Sequence, residues 1–349
     1  MKKLTVILTV MLISVTVMFA QGAAEAAKAE ETFVFTDDLG REVTLPVKIA
    51  RVAPTGSMAS AFLVAFDPDL FVGVTTKPSA VEAEFFGSDF ASLPVLGTFY
   101  GKKANLNKEA LIVAAPQVVI DVGEIKGSTE DMAKELDKLS ADIGIPVIFI
   151  ESYLKGIGDT FSRMGEALHR EERGNELAAF ASDAVDYALS IAAKVTDPSD
   201  FYYATNQDGL GAIPRGNFHA EVLETVGGTN VVDTTISSGN NQISLEELYK
   251  LNVEMIFILE ESAYEAITTK SEWSYLPAVQ TGKVNKVPYV LFPMIDAPPA
   301  VNRIIGIYYA ASKLYPELNT VDFLTKAEEF YSLFYGHTLT DAEKEELSR

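Results

Sequence analysis

Two short segments of this sequence combine positive charge with aromatic rings, although the chain as a whole is acidic. One segment reads FYGKK over residues 99–103, and the other reads RGNFH over residues 215–219. Guanidinium and ammonium groups pair with carboxylate or catecholate oxygens, and aromatic rings stack on flat ligands. The segments therefore indicate a site for an anionic, partly aromatic ligand. The candidate ligand-binding residues in them are Phe99, Tyr100, Lys102, Lys103, Arg215 and His219.

Most of these residues also have a structural interpretation. The lysine pair could form a solvated turn, and His219 could cap or pack on its own helix. Arg215 lies between a proline and a glycine in an otherwise apolar approach, which favours a place in a cleft. Ser57 and Met294 join the ligand-binding candidates because each lies in a loop that follows a predicted strand.

The sequence offers few signals of catalysis. It has no GxSxG elbow around Ser57 and no GxGxxG or phosphate loop at a strand–helix junction. Its three histidines, His169, His219 and His337, form no HExxH pair. We therefore predict no catalytic residue, no resident metal site and no cofactor. An extracytoplasmic α/β hydrolase with Ser57 as nucleophile is the alternative from another functional class.

Composition limits the class of protein further. A chain of 349 residues with 48% hydrophobic residues is long enough for two packed domains. The net charge of −21 argues against nucleic acid as a partner, since a phosphate backbone needs a basic surface. The absence of cysteine excludes disulfides, thiolate metal sites and the lipobox cysteine of lipid-anchored proteins. We expect a monomer.

The N-terminus has the pattern of an export signal. A positive start, Met1–Lys3, precedes an apolar core over Leu4–Phe19 and small residues over Ala20–Ala27. This pattern predicts a secretory signal peptide over residues 1–24, with a membrane anchor as the alternative. The mature protein is then expected outside the cytoplasm, in the periplasm or its equivalent.

The remaining chain alternates strands rich in valine and isoleucine with helices, on both sides of a long helical segment. This order predicts an α/β fold of two Rossmann-like lobes with mainly parallel sheets, joined by one long helix, with the ligand in the cleft between them. In the helical segment we expect a short helix over 157–169, a break at Gly174 and a long helix over 173–195. The predicted domains are the signal over 1–24, a lobe over 25–156, the helical segment over 157–196 and a second lobe with a C-terminal helix over 197–349.

Other element predictions are tested below. In lobe two we predict a strand over 287–291 and a helix over 299–314. We expect the DAEKEELSR end of the chain to be solvated and frayed.

An internal repeat in the sequence indicates that the two lobes share one arrangement of helices and strands. Glu109 and Glu246 each lie near the start of a short helix, and a buried strand begins shortly afterwards. Pro116 and Val253 follow the two glutamates at the same spacing. Two exposed carboxylates placed alike on twin lobes could fix the register of a basic partner, or could simply favour the helix dipole.

Longer motifs carry a family resemblance. The chain resembles the periplasmic substrate-binding proteins of ABC importers for ferric siderophores, haem and cobalamin, whose lobes are joined by a single long helix. The matching segments are TDDLGREVTLP at 36–46, NKEALIVAAPQVVI at 107–120, GIPVIFIES at 144–152, GGTNVVD at 227–233, SLEELYKLNVEMIFI at 244–258, LPAVQTGKVNKVP at 276–288 and DAPPAVNRIIGIYYAASKLYP at 296–316.

The resemblance implies a class III periplasmic binding protein fold and a receptor without chemistry of its own. It implies that Glu109 and Glu246 dock on the transmembrane subunits of an ABC permease. It also implies a metal chelate as ligand, with a ferric siderophore first and cobalamin, haem or a small oxyanion such as molybdate as alternatives. A single helical connection further predicts modest closure of the lobes.

Overall fold

The computed structural model describes residues 31–101, 104–233 and 242–348. This part of the chain opens with a hairpin in which β1 (Thr32–Thr36) pairs antiparallel with β2 (Glu42–Pro46). Asp37 in the turn accepts hydrogen bonds from the amides of Leu39 and of Phe149 in the neighbouring sheet, at 3.1 Å each. The turn carboxylate thus fixes the hairpin onto the first lobe.

The first lobe is built on a three-stranded parallel sheet. Its strands are, in spatial order, β3 (Val52–Pro54), β4 (Val118–Gly123) and β5 (Val147–Glu151). Every residue of β4 is buried, as expected for a central strand covered on both faces. The covering helices are α1 (Ser57–Phe66), α2 (Ala80–Ala91), α3 (Lys108–Ala114) and α4 (Thr129–Ile143).

Two helices follow the first sheet and pack along each other: α5 (Ile157–Leu168) and α6 (Glu171–Ala192). The break between them lies at His169, which adopts the left-handed conformation with φ 49°. The expected break at Gly174 is wrong, because this residue lies inside α6. A Cβ at position 174 would lie 2.8 Å from the Cα of Gly165, so the two glycines let α5 and α6 approach closely.

The second sheet begins after α6. Its strands are β6 (Asp200–Thr205), β7 (Gly211–Ala212), β8 (Thr229–Asn230), β9 (Met255–Ile258) and β10 (Val284–Lys286). Strand β6 pairs in parallel with β8 and β9, β10 pairs in parallel with β9, and only β7 is antiparallel. The helices around this sheet are α7 (Glu221–Thr225), α8 (Leu245–Leu248), α9 (Glu261–Thr269), α10 (Pro277–Gln280) and α11 (Arg303–Leu314). The predicted α/β fold with mainly parallel sheets is confirmed, while the exact domain limits stay a prediction.

The C-terminal region returns to the first lobe. Helix α12 (Phe323–Tyr335) packs against α1, and the ring of Phe334 lies 5.4 Å from that of Phe161 in α5. The expectation of a frayed end is wrong, because residues 341–348 form helix α13 (Asp341–Ser348) with Leu347 buried. Apolar burial thus holds the tail in place.

One hydrophobic cluster extends through both lobes and the paired helices between them. It includes Phe62 of α1, Phe161 of α5, Leu177 of α6 and Phe257 of β9. A smaller cluster in lobe two surrounds Trp273, which is buried. None of the helices in the described ranges is long and apolar enough to cross a membrane. The predicted signal peptide lies outside those ranges.

Candidate ligand-binding cleft

The carboxyl ends of strands β3 and β4 lead into loops that face lobe two. A pocket of about 250 Å³ lies beside the first turn of α1 and is closed on its far side by residues of the second lobe. Phenylalanine, valine, proline and alanine side chains supply most of its wall. The hydroxyls of Ser60 and Thr75, 3.2 Å apart, add polar groups. We call this space the interlobe pocket; it is lined by Ser57, Ser60, Ala61, Val64, Phe71, Val74, Thr75, Thr76, Pro78, Glu82, Phe90, Phe292, Ala297 and Pro298.

A second pocket, of about 230 Å³, lies on the other side of Ser57 and belongs entirely to the first lobe. We call it the lobe-one pocket. Its lining combines the start of α1 with loop residues and the end of β4. The residues are Gly56, Ser57, Met58, Ala59, Thr98, Tyr100, Gly101, Asp121, Val122 and Lys126.

Asp121 is the most deeply buried charged residue of the lobe-one pocket, at 2% exposure. The hydroxyl of Thr55 donates a hydrogen bond to its Oδ1. Its Oδ2 is buried and has no hydrogen-bond partner among the described residues. Burial raises the pKa of Asp121, and the charge of Lys126 and the Thr55 hydroxyl oppose that rise. The carboxyl therefore holds a proton more readily than a solvated aspartate does.

Tyr100 lies beside this carboxyl. Its hydroxyl is buried and interacts with the Asp121 carboxyl, although the contact lacks the geometry of a regular hydrogen bond. Burial and then the charge of Asp121 raise the pKa of the phenol, so it remains a donor at neutral pH. The Nζ of Lys126 lies 3.7 Å from the centre of the ring, and the ring of Phe99 packs edge-on at 4.6 Å.

The first turn of α1 supplies main-chain donors to the same pocket. Gly56 is the N-cap and provides no side-chain cap. In this turn, the amide of Ser60 is the first that has a described acceptor, because it donates to the Gly56 carbonyl. The amides of Ser57, Met58 and Ala59 are left at the positive end of the helix dipole, as the geometry of a helix start requires.

Across the cleft, lobe two presents His219. Its Nδ1 lies 2.7 Å from Oδ1 of Asp296, whose Oδ2 accepts a hydrogen bond of 3.1 Å from the Tyr203 hydroxyl. The hydrogen bond to Asp296 raises the pKa of His219, the charges of Asp296 and Glu124 add to that rise, and burial opposes it. Since Glu124 follows β4, its carboxylate is a charge of lobe one that acts on His219.

A buried arginine packs against the turn that carries His219. Arg303 is 1% exposed, and its Nη1 lies 3.1 Å from Glu221 and donates to the carbonyl of Phe218 at 3.2 Å. The guanidinium also lies 4.6 Å from the centre of the Phe218 ring. Glu221 in turn accepts a hydrogen bond from the amide of Leu154, at the entrance to the paired helices. Arg303 therefore holds the Phe218–His219 turn in place.

The other predicted ligand residues have different surroundings. Arg215 is exposed, lines neither pocket, and donates from Nε and Nη2 to the carbonyl of Asn230 at 2.9 and 2.6 Å. Met294 is fully buried in the core and lines neither pocket. Ser57 lines both pockets, and its hydroxyl has no described hydrogen bond to a histidine. Lys102 and Lys103 lie outside the described residues.

Three residues of the site were absent from the predicted set: Asp121, Lys126 and Asp296. Asp121 could have been found from the sequence, because it is the one charged residue in the apolar strand VVIDV. Asp296 gives no such signal, because its pairing with His219 joins residues 77 positions apart. Within the described ranges, no group of three or more histidine, aspartate or glutamate side chains could hold a metal ion.

The two predicted docking glutamates lie on matching helices, away from the pockets. Glu109 is the second residue of α3, after the N-cap Asn107, and Glu246 is the second residue of α8, after the N-cap Ser244. Both side chains are exposed, and neither forms a described ion pair. The internal repeat in the sequence is therefore matched by the same N-capping geometry at the two helices.

Comparison with known proteins shows which proteins share this fold. A profile described as periplasmic binding protein matches residues 89–289. An ABC transporter solute binding protein from Sulfurospirillum deleyianum is 28% identical, with a TM-score of 0.82 over 90% of this chain and 99% of that one. A search among curated proteins returned no match.

Two more distant structures share the fold. MolA of Haemophilus influenzae, a molybdate periplasmic binding protein solved with molybdate, is 21% identical with a TM-score of 0.69, over 88% of this chain and 99% of that one. CeuE of Helicobacter pylori, solved in a nickel–histidine complex, is 18% identical with a TM-score of 0.64, over 90% and 98% of the two chains.

Proposed function

The chain belongs to the periplasmic binding protein family, and from this premise we propose that it captures an iron chelate, of ferric siderophore type, in the cleft and delivers it to an ABC permease. The observation that carries the proposal is the His219–Asp296 pair, whose aspartate directly precedes Ala297 and Pro298 in the lining of the interlobe pocket. Export through the predicted signal peptide would place the receptor where it meets such a solute.

His219 is oriented as a metal-binding imidazole would be. A carboxylate on one ring nitrogen fixes the tautomer and the ring orientation and raises the basicity of the other nitrogen. Here Asp296 holds Nδ1 at 2.7 Å, and Nε2 has no described partner. The side chain is 45% exposed, so a guest can reach it. The imidazole could complete the coordination of a chelated metal or donate to a chelate oxygen.

The opposite wall suits the oxygen-rich part of such a guest. The amides of Ser57, Met58 and Ala59 and the Lys126 ammonium favour anionic oxygens. The apolar interlobe pocket next to them can take an aromatic or aliphatic arm. Among structures with this fold, CeuE carries a nickel–histidine complex and a Staphylococcus epidermidis protein is described as a possible iron-binding protein.

Binding measurements with the purified mature protein test the proposal. We expect a ferric catecholate or hydroxamate chelate to bind with one-to-one stoichiometry in isothermal titration calorimetry. His219→Ala should weaken binding at least about tenfold, or about 1.4 kcal/mol. His337→Ala is the matched control, because that histidine stacks on Phe85 and lines neither pocket.

The same titration run with cobalamin, haem and molybdate separates the alternative ligands. Failure of every ferric chelate to bind, or equal affinity of His219→Ala and the unaltered protein, would contradict the proposal. A hydrolase nucleophile needs a base within hydrogen-bonding reach. Among the described residues, Ser57 forms no hydrogen bond with a histidine, so the structure gives the hydrolase alternative no support.

A further inference from the structure

We propose that the interlobe pocket is a specificity site for one uncharged aromatic ring of the guest, and that Phe292 of lobe two selects this ring. The inference rests on the proposed function where the ring is an arm of the chelate. The pocket adjoins the His219–Asp296 pair, because Ala297 and Pro298 of its lining follow Asp296 directly. A guest that contacts His219 is therefore close enough to place a short arm in the pocket.

The size of the pocket suits a single ring. Its volume is about 250 Å³. An apolar cavity of about 150 Å³ can hold benzene, whereas pockets for whole drug-sized ligands begin at about 300 Å³. The interlobe pocket is thus large enough for one substituted ring and too small for the whole of a chelate with several arms.

Aromatic side chains from both lobes line the pocket. In lobe one the rings of Phe71 and Phe90 meet edge-on, with their centres 5.3 Å apart. Lobe two adds the half-buried Phe292, whose carbonyl accepts a hydrogen bond of 2.6 Å from the side-chain amide of Asn302. The Tyr335 hydroxyl donates to Asn302 at 2.6 Å, so the loop that carries Phe292 is held in place before a guest arrives. An aromatic guest gains more from such neighbours than the apolar area it buries.

The chemistry of the lining disfavours a charged arm. Among the described residues, those that line the pocket include no lysine, arginine or histidine, and the hydroxyls of Ser60 and Thr75 share a hydrogen bond with each other. The acidic residue of the lining is Glu82, whose carboxylate accepts from the Ser79 amide at 2.8 Å in the capping box of α2. An anionic arm would lose its water without a cationic partner and would meet the charge of Glu82. A cationic arm would find Glu82 already engaged in the cap, so the pocket favours a neutral group.

Fluorine NMR with small ring probes tests the pocket without any metal. We expect para-fluorobenzyl alcohol to bind at least about tenfold more tightly than para-fluorobenzoate or para-fluorobenzylamine at neutral pH. Phe292→Ala should weaken binding of the neutral probe about fivefold or more, and Phe292→Leu, which keeps apolar volume without a ring, should cause a smaller loss. Phe323→Ala is the matched control, because Phe323 is also partly buried and lines neither pocket. Thermal melts check that each variant folds.

A matched pair of chelates extends the test to the proposed guest. Ferric benzohydroxamate and ferric acetohydroxamate share the metal and the chelating group, and they differ in whether the arm is an aromatic ring. In calorimetric titration the benzohydroxamate complex should bind at least about tenfold more tightly. Phe292→Ala should remove that preference, and Phe323→Ala should preserve it.

Three results would overturn the inference: no binding of the neutral probe, equal or tighter binding of a charged probe, or unchanged affinity in Phe292→Ala. Equal affinity for the two chelates would also overturn it for the guest, while the proposed function would stand because chelate binding is then observed. If the neutral probe binds as expected and no ferric chelate binds, the proposed function fails and the assignment of the pocket stands.

Discussion

His219 and Asp296 form the clearest functional pair among single residues. The pair joins a half-exposed imidazole to a buried carboxylate that the Tyr203 hydroxyl also contacts. Such a pair links ligand binding to pH, because the charge of the imidazole decides whether it donates to the ligand or coordinates a metal. The hydrogen bond to Asp296 keeps His219 protonated to higher pH than the ordinary value of 6.5.

Removal of the carboxylate should reverse this shift. We expect Asp296→Asn to lower the pKa of His219 towards its ordinary value, as measured by NMR titration of the imidazole resonances. A raised folded-state pKa contributes stability below the unfolded pKa, and that contribution is lost as pH rises through the folded pKa. The difference in unfolding free energy between the unaltered protein and His219→Gln should therefore shrink as pH rises above 6.5 and through the raised pKa of His219. A pKa of His219 that is equal in Asp296→Asn and the parent would contradict the assigned cause.

Single residues also show what sequence reasoning can and cannot reach. Residue type directed attention to Tyr100, which lines the lobe-one pocket, and to His219, which pairs with Asp296; their roles in ligand binding stay predictions. Arg215 was chosen by the same reasoning, but its guanidinium is engaged by the carbonyl of Asn230, a contact set by the loop fold. Its role in ligand binding stays a prediction. Spacing along the chain carries no information on such local acceptors.

Among the elements, the paired helices α5 and α6 depend on a contact between two glycines. Alanine in place of a helical glycine usually stabilises a helix by about 1 kcal/mol. At position 174 a Cβ would lie 2.7 Å from the Phe161 carbonyl oxygen and 2.8 Å from the Cα of Gly165. Steric conflict with main-chain atoms outweighs propensity here, since backbone cannot move aside as a flexible side chain can.

We expect Gly174→Ala to lower the free energy of unfolding by roughly 1–3 kcal/mol, measured by urea denaturation. Asn175→Ala, at the next position of the same helix on its exposed face, is the control and should stabilise by roughly 0.5 kcal/mol. A stabilised Gly174→Ala variant would mean that α5 and α6 are not packed as closely as described.

Elements with strong local signals were predictable, and those fixed by distant pairing were not. Helix α4 occupies residues 129–143, the range that the sequence pattern with Leu136 and Leu139 inward predicts, between the Ser128 N-cap and left-handed Gly144. Helix α2 was missed because its apolar residues follow no clear helical period and Gly87, at φ 84°, interrupts it. The strand predicted at 287–291 is wrong: the strand residues are Val284–Lys286, because pairing with β9 selects them.

At the scale of the whole molecule, the matched glutamates offer a two-point contact for a membrane partner. Glu109 and Glu246 occupy equivalent cap-proximal positions on the two lobes. Because each belongs to a different lobe, a partner that binds both can sense how the lobes are placed. The resemblance to importer receptors names that partner as the permease, and this stays a prediction.

We expect Glu109→Ala combined with Glu246→Ala to leave chelate affinity unchanged and to abolish uptake by cells that carry the importer. Opposite charges on a partner mainly fix docking and registry, so the loss should appear in transport rather than in solute binding. Glu172→Ala combined with Glu317→Ala removes the same charge from two other exposed positions and should transport normally. Normal uptake by the first double variant would remove the docking role.

The return of the last helices to the first lobe has a consequence for how the molecule unfolds. Phe334 contacts Phe161, and His337 stacks on Phe85 at 4.1 Å, so the tail completes a core that the chain began some 250 positions earlier. The two lobes should therefore unfold together. Heating should melt them in one cooperative transition, and a protease cut near residue 322 should destabilise the first lobe, although that lobe is farthest from the cut in sequence.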